Sequence, residues 1–132
     1  MTDPVQPVST YKSKNGLRRI LDAIRYSVAG LRAAWRSEHA FRQELMVSIV
    51  ATVIALAVPV AALQRLMLVG VLVLVLIVEL INSAVEAVVD RISLEHHPLS
   101  KNAKDFGSAA VFLACGLAAV TWIVILWPLM AG

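Results

Sequence analysis

Four stretches of this 132-residue chain carry a sustained apolar pattern, and they are not of one kind. Between Leu17 and Trp35 the apolar positions Leu17, Ile20, Leu21, Ile24, Val28, Leu31 and Trp35 recur at helical spacing. Arg18, Arg19, Asp22, Arg25, Arg32 and Arg36 fall between them. This predicts an amphipathic helix whose arginine-rich face suits a membrane surface. The other three stretches, about 45–63, 66–89 and 106–129, are nearly continuous and long enough to cross roughly 30 Å of hydrocarbon. Pro59 falls near the far end of the first, where a lost backbone hydrogen bond matters least. Gln64 and Arg65 predict a short polar turn before the second. Pro98 excludes a continuous helix through the loop "RISLEHHPLSKNAKD", and Ser100 is the expected N-cap of the third. Trp122 and Trp127, toward the end of that stretch, suit interfacial anchors. Residues 1–15 are polar and contain prolines, so they are expected to be disordered. Residues 16–132 then form one membrane-embedded domain, all-α, with a surface helix and three transmembrane helices.

Composition agrees: 59% of the residues are hydrophobic, too many for a small soluble domain. The net charge of +3 is unevenly placed. Lys12, Lys14, Arg18, Arg19, Arg25, Arg32, Arg36 and Arg42 precede the first span, Arg65 stands in the first turn, and Arg91, Lys101 and Lys104 lie in the second loop. Basic residues beside spans set topology rather than bind nucleic acid. The N-terminus and second loop are therefore expected in the cytoplasm, and the first turn and C-terminus outside. Cys115, the single cysteine, excludes an intrachain disulfide and suits a packing role.

The second span ends in "VELINSAVEAVVDR", where charged groups enter an apolar helix at a cost of a few kcal/mol each. Glu79, Asn82, Glu86 and Asp90 follow one another at intervals of 3, 4 and 4 residues and form one narrow stripe, with Ser83 close by. Counting from Leu66, Glu86 lies near the cytoplasmic interface and Glu79 roughly 10 Å deeper. At that separation the two do not share one metal ion directly. Glu86 suits a hydrated Mg²⁺ at the water boundary, and Glu79 suits a general base toward a lipid group. Carboxylates so placed are hard for one protomer to shield, which motivates an oligomer. Gly107, Ser108, Ala109, Ala110, Ala114 and Gly116 would allow close helix approach.

Three stretches, "GLRAAWRSEHAFRQE", "ELINSAVEAVVDRIS" and "AKDFGSAAV", followed by "TWIVILW", resemble the small bacterial integral-membrane diacylglycerol kinases in order and spacing over nearly the whole chain beyond Gly16. The resemblance implies ATP-dependent phosphorylation of diacylglycerol to phosphatidic acid in the cytoplasmic (inner) membrane. It also implies a homotrimer whose composite active sites join neighbouring protomers. By position it implies Glu79 as general base, Glu38 and Glu86 as Mg²⁺ ligands, and Asn82 as the polar contact between them. Arg19, Tyr26, Glu38, Glu86, Glu95, His97, Lys104 and Asp105 take the positions of nucleotide contacts. Arg19, Asn82, Ser108 and Trp122 take those of lipid-substrate contacts. His96 departs from an aromatic common at its position, and the first span lacks a tryptophan often seen near Ala57.

Other readings make different demands. An undecaprenol kinase would share every carboxylate and differ only in the acceptor alcohol. A proton-coupled transporter would use Glu79 as carrier but leave Glu38 and the basic loop without a role. A scaffold would turn over no ATP. The "KDFG" at Lys104–Gly107 lacks the glycine-rich loop, lysine strand and HRD that accompany DFG in protein kinases, and no Walker A pattern is present. His39, His96 and His97 read as solvated residues.

Overall fold

The computed structural model describes residues 16–92 and 94–132, so the expected disorder of residues 1–15 lies outside the described residues. Four helices follow one another: α1 (Gly16–Ser37), α2 (His39–Ala57), α3 (Ala62–Ile92) and α4 (Pro98–Ala131). No strand occurs among the described residues. Three of the helices, α2, α3 and α4, are long and apolar enough to cross a membrane. α3 and α4, of 31 and 34 residues, run about 46 and 51 Å, well beyond the hydrocarbon thickness. The excess falls at the end where both helices become polar.

α3 and α4 form the principal pair, an antiparallel hairpin. At one end Leu68, fully buried, packs with Ala55 and Ile125. In the middle Val75 meets Ala114 and Ala118. At the other end Asn82 faces Gly107, and Asp90 pairs with Lys104. Lipid and apolar side chains attract water equally little, so such a pair is held by close packing, and small residues at the seam permit it. Most outward apolar side chains, such as Val53, Phe112 and Leu113, remain exposed in the single chain. The expected anchor Trp122 instead sits half-buried against the first cluster, where its indole Nε1–H donates to the Leu68 carbonyl at 3.1 Å. Trp127 is exposed. Cys115 is likewise exposed in the chain rather than packed within it.

The element boundaries depart from the hydropathy pattern at the connections. α1 and α2 are separated by Glu38 alone, which is extended (φ −99°, ψ 110°). The Arg42 guanidinium Nη1 closes this corner by donating to the Trp35 and Arg36 carbonyls at 3.0 and 3.2 Å. These are among the last acceptors of α1, which have no partner within the helix. α2 ends at Ala57 rather than near residue 63. Val58 is extended because Pro59 disfavours helical backbone in the residue before it.

The expected turn at Gln64 and Arg65 is corrected: both lie in the first turn of α3. Gln64 Oε1 accepts from the Ala61 backbone N–H at 3.0 Å, the return arm of a capping box. Arg65 reaches back to the end of α2, its Nε donating to the Ala55 carbonyl and its Nη2 to that of Val58, both at 3.1 Å. An arginine apart from the other basic residues thus has a structural task. Hydrogen bonds from charged donors contribute about 1.5–3 kcal/mol each. We expect Arg65→Gln to destabilise the fold by about 2 kcal/mol in detergent unfolding. An unchanged unfolding midpoint would show that water serves those carbonyls equally well.

The N-cap of α4 is His97, not Ser100. The His97 imidazole Nδ1 accepts from the Leu99 backbone N–H at 3.2 Å, with Pro98 as the first helical residue. Ser100 falls inside the helix because the proline's fixed φ starts the helix at residue 98, three residues earlier than a cap at Ser100 would.

Candidate active site

The acidic stripe occupies the polar end of the α3–α4 hairpin, and burial falls along it. Glu79 is 4% exposed and Asn82 9%, Glu86 is half-buried and Asp90 is exposed. Helical spacing accounts for the alignment, and α4 covers Asn82 at Gly107. The Asn82 amide Nδ2 donates to Glu86 Oε1 at 3.4 Å, so these two act as a linked pair. Glu38 is brought from the α1–α2 corner to within electrostatic range of Glu79, as is Glu86. The hydroxyl of Ser37 donates to Glu38 Oε1 at 3.0 Å.

Glu38 and Glu86 each repel Glu79, and none of the three forms an ion pair among the described residues. A hard divalent cation is a suitable counter-charge for such a donor set. No group of three or more metal-ligating side chains is gathered among the described residues. Mg²⁺ commonly keeps several waters and takes one or two carboxylates together with substrate phosphates, so two carboxylates fit it.

One member was missed by sequence reasoning. Glu44, on α2, lies within electrostatic range of Glu79, and its buried Oε2 has no hydrogen-bond partner. The available signal was a carboxylate one residue before an apolar span. Its direction could be known only once α2 had been set against α3.

One cavity opens at the shallow end of the stripe, and a second lies on the adjacent face of α3. The first, of about 650 Å³, lies where α3 gives way to α4 and is lined by polar groups including Asp90, Glu95, His97, Lys101, Lys104 and Asp105. It brings together four expected nucleotide contacts, Glu95, His97, Lys104 and Asp105. Asp90, which the sequence places only at the end of the stripe, and Lys101, which it gives only a topology role, join them. Lys104 Nζ lies 2.6 Å from Asp90 Oδ1, and Lys101 Nζ 2.5 Å from Asp105 Oδ2. Both pairs are solvent-exposed, so each is worth little and its lysine can exchange partners readily. The second cavity, of about 500 Å³, is apolar and is walled by Leu31 and Trp35 of α1, Phe41 and Leu45 of α2, and Leu76 and Leu80 of α3.

The remaining expected residues lie apart from this cluster. Ser108 is exposed on α4 beside Gly107. Trp122 packs near Leu68, eleven residues or about 16 Å along α3 from Glu79. Arg19 and Tyr26 are exposed on α1, about 28 and 18 Å along the helix axis from Glu38.

These features define a small multi-span membrane protein that confines its charged chemistry to one end of a helical hairpin. The model of the prokaryotic diacylglycerol kinase family matches residues 25–126. The diacylglycerol kinase of Pseudomonas aeruginosa is 52% identical over 118 residues, covering 89% of this chain and 96% of that protein. The diacylglycerol kinase of Escherichia coli K12 is 53% identical over 112 residues, 85% of this chain and 92% of that protein. That of Helicobacter pylori strain 26695 is 37% identical over 117 residues, 89% of this chain and 84% of that protein. The chain belongs to the prokaryotic diacylglycerol kinase family.

Proposed function

We propose that this protein is an ATP- and Mg²⁺-dependent lipid kinase of the bacterial inner membrane that phosphorylates diacylglycerol to phosphatidic acid. One observation carries this assignment beyond family membership: the acidic stripe reaches, at Asp90, a cavity lined also by Glu95, His97, Lys101 and Lys104, while Leu80, next to Glu79 in the chain, lines an apolar cavity on the adjacent face of α3. A lipid alcohol and an aqueous nucleotide can meet along it.

The acyl chains remain in the apolar cavity and surrounding lipid, while the diacylglycerol hydroxyl approaches Glu79. Its oxygen attacks the γ-phosphorus, the bond to the bridging oxygen of ADP breaks, and Glu79 takes the hydroxyl proton. Phosphoryl transfer depends mainly on positioning and neutralisation of charge. Glu38 and Glu86 would hold Mg²⁺, which would supply positive charge to neutralise the phosphates. Lys104 adds a point charge on exchanging Asp90 for a phosphate oxygen, and Asn82 holds Glu86 in place. His97 and Glu95 bound the nucleotide cavity.

The N-terminus and the loop before α4 face the cytoplasm, where ATP is found, with α1 on the membrane surface. Three copies assemble with composite sites. Two features support this: Arg19 and Tyr26 lie far along α1 from Glu38 of their own chain, and a buried Glu44 oxygen has no hydrogen-bond partner in the single chain.

The test is transfer of labelled phosphate from ATP to diacylglycerol or undecaprenol in mixed micelles. Transfer to diacylglycerol that requires Mg²⁺ is expected. Faster transfer to undecaprenol would reassign the acceptor, and no transfer to either would remove the kinase reading.

A further inference from the structure

We propose that Gly107 is a positioning residue of the phosphoryl-transfer site, acting through Asn82 on the other helix of the hairpin. The proposal rests on the kinase reading above. A methyl group on Gly107 would overlap Asn82 Oδ1, far inside van der Waals contact, and would sit tightly at 3.2 Å from its Cγ. Gly70 and Gly116, in the same two helices, have nothing within 4 Å of such a methyl group. Glycine at 107 is therefore not one more small residue at a seam. It answers to one side-chain oxygen.

That oxygen is buried and has no hydrogen-bond partner. The opposite end of the same amide, Nδ2, donates to Glu86 Oε1 at 3.4 Å. The orientation follows from chemistry: turned over, the amide would set its oxygen against a carboxylate oxygen and lose the only attraction between them. Oδ1 must then point toward α4, and room exists there only because residue 107 has no Cβ. Val75, packed on Ala114 and Ala118 deeper in the hairpin, prevents the helices from moving apart freely. With alanine at 107, the amide has to swing aside and Nδ2 leaves Glu86. The glycine of the "KDFG" stretch thereby acquires a role unrelated to the protein-kinase motif it resembles.

A substitution that only changed helix propensity would favour alanine over glycine inside α4, so the expected loss runs against the usual sign. The experiment is a double-mutant cycle on the full chain in detergent micelles, using Gly107→Ala, Asn82→Ala and the two combined. The first readout is equilibrium affinity for Mn²⁺ together with a non-hydrolysable ATP analogue; the second is the melting temperature in EDTA. We expect Gly107→Ala and Asn82→Ala each to weaken metal–nucleotide affinity about 10-fold, the low end for loss of an outer-shell partner. The double variant, with the clashing oxygen gone, should match Asn82→Ala alone within about twofold and melt no lower than it.

Wild-type affinity in Gly107→Ala, losses that multiply in the double variant, or a double variant less stable than Asn82→Ala would each overturn the proposal. If Gly107→Ala does not fold, the double variant still decides, because it lacks the clash. Diacylglycerol phosphorylation by the wild type is measured alongside. Its absence removes the kinase reading, whereas the cycle bears on Gly107 alone.

Discussion

Glu79→Gln is expected to lower phosphate transfer to diacylglycerol by at least about 100-fold, the low end for removal of a positioned general base. Glutamine has nearly the same size and can still accept a hydrogen bond from the lipid hydroxyl, but it cannot take the proton at the moment of attack. Substrate binding should change little, so the loss should appear in kcat rather than in KM. Stability should move the other way. Glu79 is buried within electrostatic range of Glu38, Glu44 and Glu86, and neutralising it relieves that repulsion. A melting temperature equal to or above the wild type is therefore expected beside the lost activity. That combination separates a chemical role from damage to the fold. Transfer within a few-fold of wild type would exclude Glu79 as the base.

The second large effect concerns the metal. On the metal role proposed above, Glu86→Gln removes a hard, charged oxygen ligand and leaves Asn82 facing a neutral amide. We expect the Mg²⁺ concentration for half-maximal rate to rise about 100-fold, since losing an outer-shell partner alone costs 10–100-fold in metal affinity. Enough Mg²⁺ should restore much of the rate, because the base remains in place. Glu79→Gln, in contrast, should not be rescued by metal at any concentration. An unchanged Mg²⁺ titration in Glu86→Gln would remove this residue from the metal site. Opposite responses of two carboxylates only seven positions apart on one helix would reflect their depth: Glu79 is buried and Glu86 is partly exposed.

The corrections at the helix ends share a physical cause. Apolar runs report which residues avoid water, not where the backbone stops being helical. Residues 58–61 were assigned to the first span because they are apolar, yet Pro59 forces Val58 into an extended conformation and ends α2 at Ala57. Gln64 and Arg65 were assigned to a turn because they are polar, yet both can serve neighbouring backbone groups from inside α3. Ser100 is a good cap by residue type, but Pro98 sets the start of α4 and leaves His97 to cap it. Arg42 was counted as a topology charge, and the structure also gives it the last carbonyls of α1. In each case hydropathy and hydrogen-bonding capacity point to different tasks for one residue.

Local periodicity alone determined much of this protein. Four helices, three of spanning length, and the alignment of Glu79, Asn82, Glu86 and Asp90 on one face follow from residue spacing along a single helix. The kinase motifs, contiguous in the chain, were legible for the same reason. What lies across helices was not. That Lys104 meets Asp90, that Glu44 comes within electrostatic range of Glu79, that Arg65 closes the end of α2 and that Gly107 makes room for Asn82 all depend on the relative register of separate helices. A helix repeats every 3.6 residues whatever stands beside it, so its sequence specifies a face but not the partner that face meets. Only packing chooses among the possible registers, through contacts such as Val75 against Ala114 and Ala118.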